Sequence, residues 1–406
     1  MSAIVPVLLV FLPLVVLATL QFVLPVLAPV LMAAFEQPPE RYGLMGGAMG
    51  LGSVWFLIVN TAITPVLGPV RTLAFGLASA AAGVLCILTG VWPVAVFGAF
   101  LVGFGYATTT PAGSQILTDF TPRATWGTLF SMRQSAVPVG GMIAGIVGAQ
   151  LASRFGWRMA LASAVAACIG MALVFIALPR RLNEFRPLHR FRVSALFDPS
   201  SLIEPFRVLK STPGLTSLVA AGVGLSAVHG AVTSFFVLYL AVDQHMPVER
   251  AGALFAVLQT FGMLGRVVFG FVADKIGSPL PVLRIQAPMS ALCAVLMAVF
   301  SVDWPVLIQL VAVALIGLSV GTWNGLYLAE IARLALPESV GRATAGAAFF
   351  GFSAYMIVPP LMGLGVIYLG FRASFLAFSL AAAASAVILV MRTVPAPPRV
   401  KSVVVQ

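Results

Sequence analysis

An arginine inside an apolar segment is the first residue in this chain whose type and setting could do chemistry. Arg266 lies in GRVVFGFVADKIG (265–277), with Gly270 beyond it and Asp274, Lys275 and Gly277 where the apolar run stops. A helix rises about 1.5 Å per residue, so Arg266 sits roughly 12 Å from Asp274, near the middle of an apolar slab about 30 Å thick. An arginine at that depth costs about 2.5–3.5 kcal/mol on insertion scales, so its retention points to substrate binding or gating. The plain alternative is a side chain snorkelling to the nearer surface, and the distance is long for that. Arg133 is the second such group, ten residues past Arg123 and therefore roughly 10–15 Å deep. The rigid guanidinium fork suits a carboxylate bidentately, which makes both arginines candidate substrate-binding residues. The alternative is that one of them pairs with helix carbonyls or with Glu330.

His229 is the one histidine far from a segment edge. It could bind a substrate or titrate as the protein works; the alternative is a neutral ring hydrogen-bonded between helices. Thr108, Thr109 and Thr110 on the fourth apolar segment match Thr322, Trp323 and Asn324 on the tenth. Threonines within helices tend to bond back to their own backbone, so Asn324 as a polar contact and Trp323 as an aromatic wall are the stronger candidates. Gln134 and Tyr355 complete the candidate substrate set, with Tyr106, Gln259, Asn60 and Gln21 as further hydrogen-bonding groups.

No catalytic constellation stands beside these residues. There is no GxxxxGK[ST] loop for ATP, no Cys/His cluster with metal-ligand spacing, and no serine with a base nearby. The expectation is a protein without enzymatic activity, cofactor or metal. Cys86, Cys168 and Cys293 all fall in apolar segments, as packing residues do.

The elements that must position these side chains follow from composition. Of 406 residues, 60% are hydrophobic and 9% charged, where a soluble chain would carry about 25% charged. Long apolar runs without period-two alternation indicate membrane-spanning helices rather than a barrel. Twelve such segments fall at about 4–34, 43–63, 72–91, 93–118, 126–152, 157–178, 214–241, 251–272, 280–300, 305–332, 341–366 and 371–391. The first is too long for the core of a cleavable leader. The fold class expected is an all-α membrane protein of twelve transmembrane helices in two pseudo-symmetric six-helix bundles. Its domains would be residues 1–178, a cytoplasmic linker 179–213, a second bundle 214–393 and a cytoplasmic tail 394–406.

Charge sets the orientation. With both termini inside, one face holds Arg71, Arg123, Lys275, Arg284, Arg333 and Arg342, seven basic residues in the linker and three in the tail. The other face holds five, Arg41, Arg154, Arg158, Arg250 and Arg372. That asymmetry places the linker face in the cytoplasm. It also accounts for the net charge of +11 as a membrane-orienting charge that touches anionic lipid, not a nucleic-acid surface.

The halves resemble each other. PERYG at 39–43 matches VERAG at 248–252, and Gly68 matches Gly277, at an offset of 209. Trp92-Pro93 matches Trp304-Pro305 at 212; Gly103, Gly127 and Gly156-Trp157-Arg158 match Gly317, Gly341 and Gly370-Phe371-Arg372 at 214. Tandem six-helix repeats place a binding site at their interface near the midplane.

Over about residues 3–393 the chain resembles the major facilitator superfamily, through Gly270-x-x-x-Asp274-Lys275-x-Gly277 between segments 8 and 9. The equivalent motif between segments 2 and 3 is degenerate, with Pro65 at the aspartate position and Thr61 for the first glycine. The resemblance implies that segments 1, 4, 7 and 10 line a central cavity and that segment 5 faces segment 8. Arg133 and Arg266 would then repel unless an anion lies between them. Arg266-x-x-x-Gly270 is also similar to the spacing in monocarboxylate and oxalate-type porters. Asp274, Lys275, Gly270, Gly277, Glu330, Arg333 and Arg342 form the expected cytoplasmic gate, closed by ion pairs that break on opening.

The reading that follows is a monomeric secondary transporter of the inner (plasma) membrane, with both termini cytoplasmic. It would move a small organic anion such as a carboxylate by alternating access, with proton symport left open. The absence of a deep carboxylate counts against cationic-drug efflux. Efflux of apolar or zwitterionic compounds, with structural arginines, is the alternative; a non-transporting receptor or assembly factor is the third.

Overall fold

The computed structural model describes residues 4–120, 126–177, 203, 207, 214–335 and 340–391. Most of the 179–213 linker and the whole 394–406 tail therefore lie outside the described residues. Among the described residues there are helices and no strand. Helix α1 is Ile4–Val26 continued by Ala28–Ala34. It breaks at Leu27 because Pro29, without an N–H, cannot bond the carbonyl of Pro25. Then come α2 (Tyr42–Leu67), α3 (Pro69–Leu88) and α4 (Trp92–Phe120, bent at Thr108). Helix α5 runs Trp126–Ile143, widens into a π-turn over Ala144–Gly148 and ends as Ala149–Phe155; α6 is Trp157–Ala177. The second half holds α7 (Leu215–Val242), α8 (Val248–Ile276), α9 (Leu280–Val299) and α10 (Val306–Leu334, interrupted at Gly321–Thr322). The last stretch, Val340–Met391, is broken at Gly370 (φ 79°, ψ 171°) into α11 (340–369) and α12 (371–391).

Eleven helices are long and apolar enough to cross a membrane, and the last of these, at 46 residues, is the one broken at Gly370. Dividing it there gives the twelve spans expected. Large apolar side chains face outward along the bundle, among them Leu292, Leu307 and Leu380, each about 70% exposed. In water such a belt would be an aggregation surface; here it is the lipid-facing one. Helix α7, by contrast, is buried along nearly its whole length, as a helix at the centre of a bundle must be.

The repeat is visible atom by atom. Among the described residues, Glu36 and His245, related by the offset of 209, are the two non-glycine residues with positive φ, at 54° and 53°. Gly156 and Gly370, related by 214, both turn the chain with φ near 80° and extended ψ, a conformation that any Cβ would strain. A Cβ on Gly103 would strike the Met49 carbonyl; one on Gly317 would strike that of Leu258, the equivalent pair. The breaks at Thr108 of α4 and Thr322 of α10 are equivalent too. So are the π-turn of α5 and the Pro359-Pro360 pair of α11, two different sources of a helix bend.

The halves meet tightly on the face opposite the linker. Gly43 of α2 packs on the Pro359 carbonyl of α11, and its equivalent, Gly252 of α8, packs on the Gly145 carbonyl of α5. Small residues permit such backbone contact. Phe22 and Phe255 are 5.7 Å apart between ring centroids, and Tyr42 and Phe235 are 5.9 Å apart. These contacts all lie on the far side of the level of Arg266, so the two halves pack closely there.

Candidate functional site

Two helix interruptions build the site. In α4, Pro111 cannot donate to the carbonyl of Ala107, and the helix bends at Thr108. The Thr108 hydroxyl donates to the Gly105 carbonyl at 2.7 Å and that of Thr109 to the Tyr106 carbonyl at 2.8 Å. In α10, Gly321 and Thr322 interrupt the helix, and the Thr322 hydroxyl donates to the Leu318 carbonyl at 2.8 Å. Gln286 of α9 braces that break, its amide donating to the Ser319 carbonyl at 3.3 Å and to the Thr322 hydroxyl. Backbone carbonyls freed or tilted at such breaks need donors when buried.

The two arginines supply them. Arg133, 5% exposed, donates from Nη2 to the Thr109 carbonyl at 2.6 Å and the Thr110 carbonyl at 3.4 Å, and from Nη1 to Ser114 Oγ at 3.3 Å. Arg266, half-buried, donates from Nε to the Gly321 carbonyl at 2.8 Å and from Nη1 to the Gln134 carbonyl at 3.0 Å. One arginine thus serves each break, and Arg266 bridges the halves by grasping the residue next to Arg133. Arg133 Nε is buried without a hydrogen-bond partner, and the described bonds of Arg266 leave its Nη2 unused. A Cβ at Gly113 would lie 3.0 Å from Arg133 Nε, so that glycine leaves room beside the free donor.

The carbonyl alternative therefore holds for both arginines, and the acidic one for neither. Glu330, fully buried on α10, is paired in bidentate fashion with Arg333, both bonds 2.8 Å. Carbonyl dipoles orient a guanidinium but leave its net charge in place. The groups within electrostatic reach of the pair are Tyr106 for both arginines, and Tyr355 and His229 for Arg266.

The remaining candidates gather around that charge. His229 of α7 stands edge-on to Tyr355 of α11 at 5.7 Å and to Trp323 of α10 at 6.5 Å. The imidazole is half-buried and has no hydrogen-bond partner among the described residues, so the interhelical hydrogen bond considered for it is not formed. Trp323 is 4% exposed with its Nε1 unpartnered. Tyr106 of α4 faces Phe352 of α11 at 6.5 Å. Asn324 is half-buried beside Trp323. Gln134 enters through its carbonyl, not the side-chain amide that suggested it. Ser114, Gln286 and Phe352 were not singled out from the sequence. The usable signal for Ser114 was its position one turn after Thr110, on the strand of backbone that Pro111 disturbs.

Of the gate candidates, the described residues bring together one pair. Glu330 and Arg333 are paired, but Asp274 and Lys275 are exposed, and Asp274 has no ion pair or hydrogen bond from its carboxylate among the described residues. Asp274 sits in the last turn of α8, before Gly277 (φ 73°, ψ 12°) caps the helix. Lys275 lies 4.6 Å over the ring of Phe271 on its own helix. A Cβ on Gly270 would meet nothing within 4 Å. The side chain of Arg342 lies outside the described residues.

Comparison with known proteins settles the family. The family model of the Major Facilitator Superfamily matches residues 9–354. The chain belongs to that superfamily. It is 25% identical over 273 residues to the MFS-type transporter YceJ of Bacillus subtilis, 64% of this chain and 65% of that protein. It is 26% identical over 319 residues to the MFS-type transporter Rv2994 of Mycobacterium tuberculosis, 78% of this chain and 69% of that one. Among solved structures, a bacterial homologue of the human lysosomal transporter Spinster, inward-facing and unoccupied, superposes with a TM-score of 0.74. It is 16% identical, covering 95% of this chain and 96% of that one. The nucleoside transporter NupG gives 0.73, also at 16% identity, over 94% and 99%. At that identity the structures share the fold alone.

Proposed function

We propose that the protein is a secondary transporter that moves a small organic anion, a carboxylate, across the cytoplasmic membrane by alternating access. One observation carries this reading: two arginines occupy the centre of the bundle, each held by carbonyls, each with an unused donor, and no carboxylate described beside them. A desolvated pair of like charges is costly, and an anion shared between the two forks relieves that cost. The surplus of basic residues on the linker face supports its assignment to the cytoplasm, which makes the present conformation inward-open. His229, free of hydrogen bonds and within reach of Arg266, is the group we assign to proton symport, should uptake follow a pH gradient.

Thermal stabilisation of the purified protein by a panel of mono- and dicarboxylates tests the assignment. A bound ligand at 100 times its Kd stabilises by about 2.7 kcal/mol. The shift should be present in the wild type and lost in Arg266→Gln. A second reading, efflux of apolar or zwitterionic compounds, draws on the carbonyl bonds themselves, which fit arginines that merely brace the helix breaks. Indifference to every carboxylate with a response to lipophilic compounds would establish it instead.

A further inference from the structure

Around the unused donors the walls are rings. Tyr106, His229, Trp323, Phe352 and Tyr355 come from four helices, α4, α7, α10 and α11, drawn from both halves. His229 meets Tyr355 and Trp323 edge-on, with interplanar angles of 70° and 87°. Edge-on packing turns the negative face of one ring toward the positive edge of the next and leaves other faces open for a further ring. Trp323 adds a buried N–H that no described residue satisfies, and a donor left unmet in an apolar setting is a place where a ligand gains affinity.

Resting on the anion reading above, we propose that the substrate is a planar aromatic carboxylate, its carboxylate on Arg266 Nη2 and Arg133 Nε and its ring among His229, Trp323 and Tyr355. The division of labour is simple. The arginines supply charge neutralisation, which any carboxylate would share. The rings supply discrimination, because a flat π-system offers its face and edge to them and a puckered aliphatic ring of the same size does not. Specificity in such a site is a difference between two affinities for the same charged group.

Benzoate and cyclohexanecarboxylate separate the two contributions, since they share the carboxylate and the six-membered ring. Binding of each to the purified full chain is measured by calorimetry, with uptake of labelled benzoate into liposomes alongside. The expected result is at least tenfold tighter binding of benzoate by the wild type. Tyr355→Leu should reduce that preference several-fold; Tyr355→Phe, which keeps the ring, should retain it. Equal affinity of the wild type for the two acids would overturn the aromatic assignment and leave the anion reading standing. Binding of neither acid, or of any other carboxylate, would overturn both.

Discussion

Wedging the far-face seam apart should shift the conformational balance by a calculable amount. At Gly252 of α8 a Cβ would lie 2.5 Å from the Gly145 carbonyl oxygen and 2.6 Å from the Ala149 Cβ, well inside contact distance and against backbone that cannot rotate away. Gly252→Leu adds four carbons there. Overpacking of that kind costs about 1–3 kcal/mol. The cost falls on the conformation in which α5 and α8 touch at this level and is relieved when they part. At about 1.4 kcal/mol per factor of ten, the population should move about five- to 150-fold toward the state open on the far face. The assay is a spin-label distance between cysteines introduced at Ala34 and Asp243, the equivalent ends of α1 and α7, both exposed. The native Cys86, Cys168 and Cys293 are replaced first. Wild type should give one short distance, and Gly252→Leu a longer one as the main population. Gly170→Leu serves as control, because a Cβ there meets nothing within 4 Å. An unchanged distance distribution in a folded Gly252→Leu protein would refute the claim that this seam is the far-face closure.

Three further outcomes follow from buried polar groups. Tyr42 is fully buried with its hydroxyl unpartnered, so Tyr42→Phe should raise the melting temperature, relieving a penalty of about 1–3 kcal/mol; a marked fall would mean the hydroxyl has a partner. Arg333→Met should remove the bidentate cation of the buried Glu330 carboxylate and destabilise by about 1.5–3 kcal/mol, with Glu330→Gln in the same chain restoring part of it; equal stability of single and double variants would contradict the pairing. Gln286→Leu should weaken carboxylate-induced stabilisation without abolishing the fold, because it loosens the Thr322 break whose Gly321 carbonyl holds Arg266; an unchanged ligand shift would show that the brace is not needed.

The architecture was legible because its signals are short-range and repeated. Apolar run length set the spans, and glycines at fixed offsets reported backbone conformations and contacts that both halves share, as at Gly156 with Gly370 and Gly103 with Gly317. The site was legible in its charges and less so in its bonds. That Arg266 and Arg133 lie deep follows from counting residues, but their partners are carbonyls at Gly321, Gln134, Thr109 and Thr110, and every residue type carries a carbonyl. Only the tertiary placement of the helix breaks decides which ones are turned toward the guanidinium. Ser114 and Gln286 escaped notice for the same reason. Of the gate expected from Asp274, Glu330, Arg333 and Arg342, the described residues form the Glu330–Arg333 pair, while Asp274 is exposed and the Arg342 side chain lies outside them.

Uptake of a carboxylate into liposomes by wild type and by Arg266→Gln tests the central electrostatic claim most directly. The glutamine keeps the Cβ–Cγ–Cδ stem and a hydrogen-bonding head while removing the charge. The account predicts accumulation by the wild type and a rate near that of protein-free liposomes for the variant, with its ligand-free melting temperature largely kept. Accumulation by Arg266→Gln at the wild-type rate would contradict it.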